Sequence, residues 1–135
     1  MTDAALVAEI KRSWEHWAKH LSLENWSVRF KIVKNIQANL TISVVEGGYA
    51  RVTLSINPKG DMGEVLPVAH HVLHEMLHIF LDPLRSYANN HSTFISSANK
   101  TSDWSLFTEA EERAVDEITA VIWRVHEKTD CAEPV

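Results

Sequence analysis

The sequence predicts an α+β fold, because two kinds of hydrophobic periodicity follow one another along its 135 residues. Apolar residues recur every three or four positions near both ends and again around residues 65–81, the spacing that lines one face of an α-helix. Between residues 26 and 56 they alternate with polar residues, as strands with one buried face require. Because this length supports one hydrophobic core but hardly two, we expect a single domain over residues 1–135.

The composition is that of an ordinary globular protein, with 45% hydrophobic and 23% charged residues. The formal net charge of -5 offers no basic surface, so we expect no direct nucleic-acid partner. The first residues lack the basic start and apolar core of a secretory signal, and no apolar run approaches the roughly 20 residues that cross a bilayer. We therefore expect a cytoplasmic protein without membrane contact, whose oligomeric state the composition leaves open.

The first predicted elements are a helix and three strands. The apolar face of the helix is formed by Leu6, Ile10, Trp14, Trp17 and Leu21. Alternation then begins at Trp26 and ends near Ile56, with Gly47-Gly48 before the third run. Two glycines supply the positive φ angles of a tight hairpin, so the last two strands are expected to pair antiparallel. The three strands together are predicted to form an antiparallel meander.

Two further helices are predicted in the second half of the chain. The first covers about residues 65–81, and Asp82-Pro83 is expected to end it because a residue before proline is disfavoured in the α conformation. Residues 84–106 are polar and predict a long loop. Helical spacing returns over residues 107–126. The predicted order is helix, sheet, helix, long loop, helix.

The middle helix carries the segment His74-Glu75-Met76-Leu77-His78. Histidines four positions apart lie on one helix face, so both imidazoles can reach the same metal ion. Glu75 lies about 100° round the helix from His74, where it can hold a metal-bound water without being a ligand. Zinc lowers the pKa of such a water toward about 7, and a carboxylate can take its proton during attack on a carbonyl. The segment therefore predicts a Zn²⁺ site with Glu75 as the general base.

A catalytic zinc usually takes three protein ligands and a water, so a third ligand is expected elsewhere. On the last helix, Glu111 lies about 20° from Ile118, in the middle of the apolar face, where an unpaired carboxylate is costly. The other members of that face are Phe107, Ala114, Val115, Val121, Ile122 and Val125. We predict Glu111 as the third ligand. Glu112, at about 120° and four residues before Asp116, is one alternative, and His91 in the polar loop is another.

Two side chains near the predicted site could contact a substrate or a developing oxyanion. Tyr87 lies in the predicted loop that follows the motif. His71, with its neighbour His70, precedes His74 by about one helical turn, where it could also support a ligand. Both assignments are hypotheses about position, because neither residue has a fixed place in the motif.

The motif and the acidic last helix resemble those of the gluzincins, and more narrowly the minigluzincins and related short metallopeptidase-like proteins common in phage and prophage genomes. The matching stretches are residues 72–84, VLHEMLHIFLDPL, and residues 111–118, EERAVDEI. The resemblance implies a zincin-like fold and a peptide or protein substrate. It also implies that the last strand, near residues 50–56, borders the cleft and could pair with an extended peptide.

Two other interpretations remain open from the sequence. His91-Ser92-Thr93-Phe94 is similar to the downstream segment of SprT-like proteases, which implies His91 as the third ligand. Alternatively, zinc could staple a small binding module that has no enzymatic activity. The presence of Glu75 favours an enzyme, because a structural zinc site has no need of a general base.

Overall fold

The computed structural model describes residues 2–34, 39–45, 50–58, 66–90 and 100–132, and within them all side chains except those of 88–90, 100–104 and 128–132. The elements along these ranges are α1 (Asp3–His20), β1 (Ser27–Ile32), β2 (Leu40–Val44), β3 (Arg51–Ile56), α2 (Val68–Asn90) and α3 (Lys100–Ala132). The predicted α+β class is therefore confirmed. Within these ranges, no helix combines the length and the apolar character needed to cross a membrane.

The sheet is mixed, with the strand order β1-β3-β2. β2 and β3 pair antiparallel as predicted, from Leu40 opposite Ile56 to Val44 opposite Val52. β1 pairs parallel with β3, so the predicted antiparallel meander is wrong. The reason is that alternating polarity reports one buried face of a strand and carries no information about its neighbours. The glycine pair assigned to the hairpin lies outside the described residues.

The third strand lies in the middle of the sheet. Its inward side chains Val52, Leu54 and Ile56 are fully buried, and its backbone pairs with β1 on one side and β2 on the other. A central strand has no free ladder for another chain, because strand addition requires an exposed sheet edge. The expectation that this strand borders a cleft and pairs with an extended peptide is therefore wrong.

The first helix buries the face that the sequence predicts. It begins after Thr2, whose hydroxyl accepts a hydrogen bond of 3.1 Å from the Ala5 amide and so caps the helix. Its buried apolar side chains are Leu6, Ile10, Trp14, Trp17 and Ala18. The Trp17 indole also donates a 2.9 Å hydrogen bond to the Ala69 carbonyl. This bond joins α1 to the beginning of α2.

The second helix continues well beyond its predicted end. It spans Val68–Asn90 and contains Pro83, so the expectation that Asp82-Pro83 ends the helix is wrong. A proline removes one hydrogen-bond donor, which here costs the bond to the Ile79 carbonyl, but it does not prevent a helix supported by other contacts. The predicted loop over residues 84–106 is correspondingly wrong at both ends, since α3 already begins at Lys100.

The chain divides into two compact units, Met1–Ile79 and Phe80–Val135. The first contains α1, the sheet and the beginning of α2, and the second contains the rest of α2 and α3. The boundary falls at the carbonyl that Pro83 leaves without its helical donor. The single-domain expectation over residues 1–135 stays a prediction.

The third helix turns a different face inward from the one predicted. Glu111, Val115 and Thr119 are buried, at successive intervals of four residues. Three apolar side chains predicted to lie inside are instead exposed, namely Ile118 at 43%, Val121 at 58% and Val125 at 59%. The inward face is thus rotated by roughly 60° from the centre of the apolar residues. The predicted burial of Glu111 is correct, but the predicted burial of Ile118, Val121 and Val125 is wrong.

Candidate metal centre

The two histidines of the motif lie together on α2. Their ring centroids are 5.2 Å apart with the ring planes at 66°, and both side chains are half-buried. The adjoining apolar residues Leu73, Met76 and Leu77 are buried. Burial of that face leaves the imidazoles on the flank of the helix, as the four-residue spacing predicts.

Glu75 lies beside the first histidine. Its Oε2 is 3.7 Å from His74 Nε2, and both side chains are largely shielded from solvent. This separation is too long for a direct hydrogen bond, so the carboxylate is adjacent to the imidazole without being bound to it. A carboxylate in this position can accept a proton from a molecule held between the two groups.

Among the described residues, one group of three side chains could hold a metal ion: His74, His78 and Glu112. Each offers one ligand atom, and these atoms all lie within 4.8 Å of one another. Ligands at about 2.0–2.1 Å from a tetrahedral zinc are roughly 3.4 Å apart, so small side-chain adjustments bring this group to that geometry. Two imidazole nitrogens and one carboxylate oxygen are also a donor set that zinc accepts, with a fourth position left for water.

Glu111, the predicted third ligand, has a different partner. Its Oε2 accepts a hydrogen bond of 2.7 Å from Arg85 Nη1, and its side chain is 5% exposed against 38% for Arg85. Glu111 was predicted as a ligand because an unpaired buried carboxylate is costly. That premise is wrong, since Arg85 compensates the charge. Sequence reasoning missed Arg85 because it falls in the stretch predicted as loop.

The remaining sequence candidates have varied positions. Tyr87 is exposed on the second half of α2, and His71 is half-buried with its ring 6.4 Å from that of His70. His91 lies outside the described residues, so its proposed role stays a prediction. Asp116 is exposed on α3, one turn after Glu112. The group of three potential metal ligands includes none of these residues.

The fold and the site define a mixed α+β chain in which one group of side chains is suited to a metal ion. No protein-family model matches the chain, and no curated protein or solved structure shows significant similarity to it. The function proposed below therefore rests on the donor types, the distances and the burial of residues in this chain.

Proposed function

We propose that this chain is a gluzincin-like zinc peptidase in which His74, His78 and Glu112 hold the metal ion and Glu75 is the general base. The observation that carries the proposal is the group of two imidazoles and one carboxylate within 4.8 Å of one another. Glu75 adds to it a second carboxylate, 3.7 Å from His74 Nε2. Its substrate is a peptide or a protein, because a general base beside a metal site suits hydrolysis of a carbonyl compound.

The proposed reaction divides the work between the ion and the protein. A zinc ion bound there supplies a Lewis acid and brings the pKa of a bound water toward about 7. Glu75 accepts a proton from the attacking water as its oxygen adds to the peptide carbonyl carbon. Glu75 then returns that proton to the amine nitrogen as the peptide bond breaks, so the carboxylate is regenerated. His74 and His78 serve as neutral ligands and exchange no proton.

Glu112 is preferred to Glu111 as the third ligand for a reason within α3. The Glu111 carboxylate is buried and bound to Arg85, and release of Arg85 from this pair would leave a buried charge uncompensated. Glu112 is exposed and can turn toward an ion without that cost. Asp116 follows it by one turn, where a carboxylate can support the orientation of a ligand.

The two glutamates are distinguished by conservative substitution. Glu112→Gln is expected to weaken zinc affinity at least about tenfold, because a neutral amide replaces an anionic ligand. Glu111→Gln is expected to keep zinc but to lower the free energy of unfolding by roughly 1–3 kcal/mol, equally with and without metal, because Arg85 loses a charged partner. Competition with a chromophoric chelator and thermal melts measure the two quantities.

Glu109→Gln is the matched control, because Glu109 is exposed on the same helix. It is expected to change neither zinc affinity nor stability. Loss of zinc in Glu111→Gln with retention in Glu112→Gln would contradict the assignment of Glu112. Retention of zinc in both variants would move the search to His91.

The activity itself is tested on the zinc-loaded chain with a mixed peptide library read by mass spectrometry. We expect internal cleavage that stops when a chelator removes the metal and returns when zinc is added. A zinc-loaded chain that leaves every peptide of the library intact would contradict the proposed peptidase function while leaving the metal site itself in place.

A further inference from the structure

A second pair of histidines lies at the exposed end of α1. His16 and His20 are four residues apart, both are exposed, and their ring centroids are 4.8 Å apart with the planes at 58°. The proposed peptidase function makes no use of either residue. They belong to the same compact unit as the sheet.

The geometry of this pair closely matches that of His74 and His78, whose ring centroids are 5.2 Å apart. Two imidazoles that share one tetrahedral ion at about 2.0–2.1 Å have ring centroids roughly 5 Å apart. Both histidine pairs therefore have a separation compatible with shared coordination. The pair on α1 differs in being fully open to solvent, so that water can complete the coordination shell.

The surroundings of the pair fix its position. Trp17 is buried beneath it, with its ring 4.8 Å from His16 and 6.1 Å from His20. The Trp17 indole is in turn held by the Ala69 carbonyl at 2.9 Å. Because the backbone between the two histidines is anchored in this way, binding of an ion requires only rotation of two exposed side chains.

The electrostatics of the helix act in two directions. His20 is the last residue of α1, where the partial negative charge of the helix end favours a cation. Arg12 and Lys19, both exposed, lie within one turn of His16 and oppose a cation. With two protein ligands and these opposing charges, the affinity must be lower than that of a site with three ligands.

We propose that His16 and His20 form an accessory site for a divalent transition-metal ion, with water as the remaining ligands. Imidazole suits copper, nickel and zinc, and the expected order of affinity places Cu²⁺ above Ni²⁺ and Zn²⁺. Binding joins two successive turns at the end of α1 and stabilises the folded chain by mass action. The proposal is independent of the peptidase function, because it concerns a different helix.

Calorimetric titration of the full, tag-free chain with Zn²⁺ tests the proposal. We expect a tight first equivalent and a weaker second equivalent, of which the second is lost in a His16→Gln, His20→Gln double variant. The same double variant in a His74→Ala, His78→Ala background should lose the remaining weak event. His126→Gln, which removes a histidine from α3, is the matched control and should leave both events unchanged.

Tryptophan fluorescence gives a second readout during titration with Cu²⁺. Because Trp17 is the indole beneath the pair, Cu²⁺ is expected to quench part of the emission in the parent chain and to leave that part unquenched in the double variant. A weak binding event and a quenching amplitude that both survive in the folded double variant would overturn the proposal. The absence of any second event in the parent chain would overturn it equally.

Discussion

Glu75→Gln is expected to retain one equivalent of zinc and to lose peptide hydrolysis by roughly 10²- to 10⁴-fold. Glutamine has nearly the shape of glutamate, so the half-buried position beside His74 can be filled without repacking. The amide cannot accept a proton from the attacking water, whereas the ligands of the ion are unchanged. The loss should therefore appear in kcat/KM without a change in metal content.

The measurement combines the kinetics of a cleaved peptide with elemental analysis of the same sample. Glu15→Gln, on the exposed face of α1, is the control and should retain full activity. Unchanged turnover in Glu75→Gln would refute its role as general base. Loss of zinc together with activity would instead identify Glu75 as a ligand of the ion.

His74→Ala and His78→Ala are each expected to abolish tight zinc binding and the stability that zinc provides. A ligand that binds only the folded state adds about 2.7 kcal/mol when it is present at 100 times its Kd. For a chain of this size, such a gain corresponds to a rise in Tm of about 10 °C. The parent chain should show this rise on addition of zinc, and both variants should lose it.

Thermal melts with and without zinc measure this difference. His126→Ala should behave like the parent chain, because His126 lies on α3 outside the group of three ligands. Because the histidines of the motif are only half-buried, their removal should change the Tm of the metal-free chain by much less than the zinc-dependent rise. A zinc-dependent rise that persists in both variants would place the ion elsewhere.

Hydrophobic periodicity was sufficient to find the helices and strands but not their partners. The inward face of α1 was predicted correctly, because α1 is amphipathic and its apolar residues form one continuous stripe. The parallel pairing of β1 with β3 was missed, because the side-chain pattern of a strand is the same for either direction of its neighbour. Pro83 was taken as the end of a helix because the local preference of proline is strong, although α2 continues past it.

The candidate site was predictable where its chemistry is local. The spacing of His74 and His78 sets their positions on one helix, and the structure brings the rings to 5.2 Å as that spacing implies. The choice between Glu111 and Glu112 depended on a partner distant in sequence. Arg85 lies 26 residues before Glu111 and pairs with it, so the cost of burying that carboxylate could not be judged from α3 alone.

The orientation of α3 was misjudged for a related reason. The direction of greatest hydrophobicity was taken as inward, but a paired Glu111 and a buried Thr119 occupy part of the inward face. Ile118 and Val125 are consequently exposed. A helix whose apolar residues are spread over a wide arc does not define its buried side as sharply as α1 does.

The most direct test of the metal centre is elemental analysis of the tag-free chain purified without added metal. We predict one tightly bound zinc per chain, which a strong chelator removes and which returns to one tight equivalent on titration. A folded chain that contains no zinc and takes up no tight equivalent on titration would contradict the proposed metal centre and, with it, the proposed peptidase function.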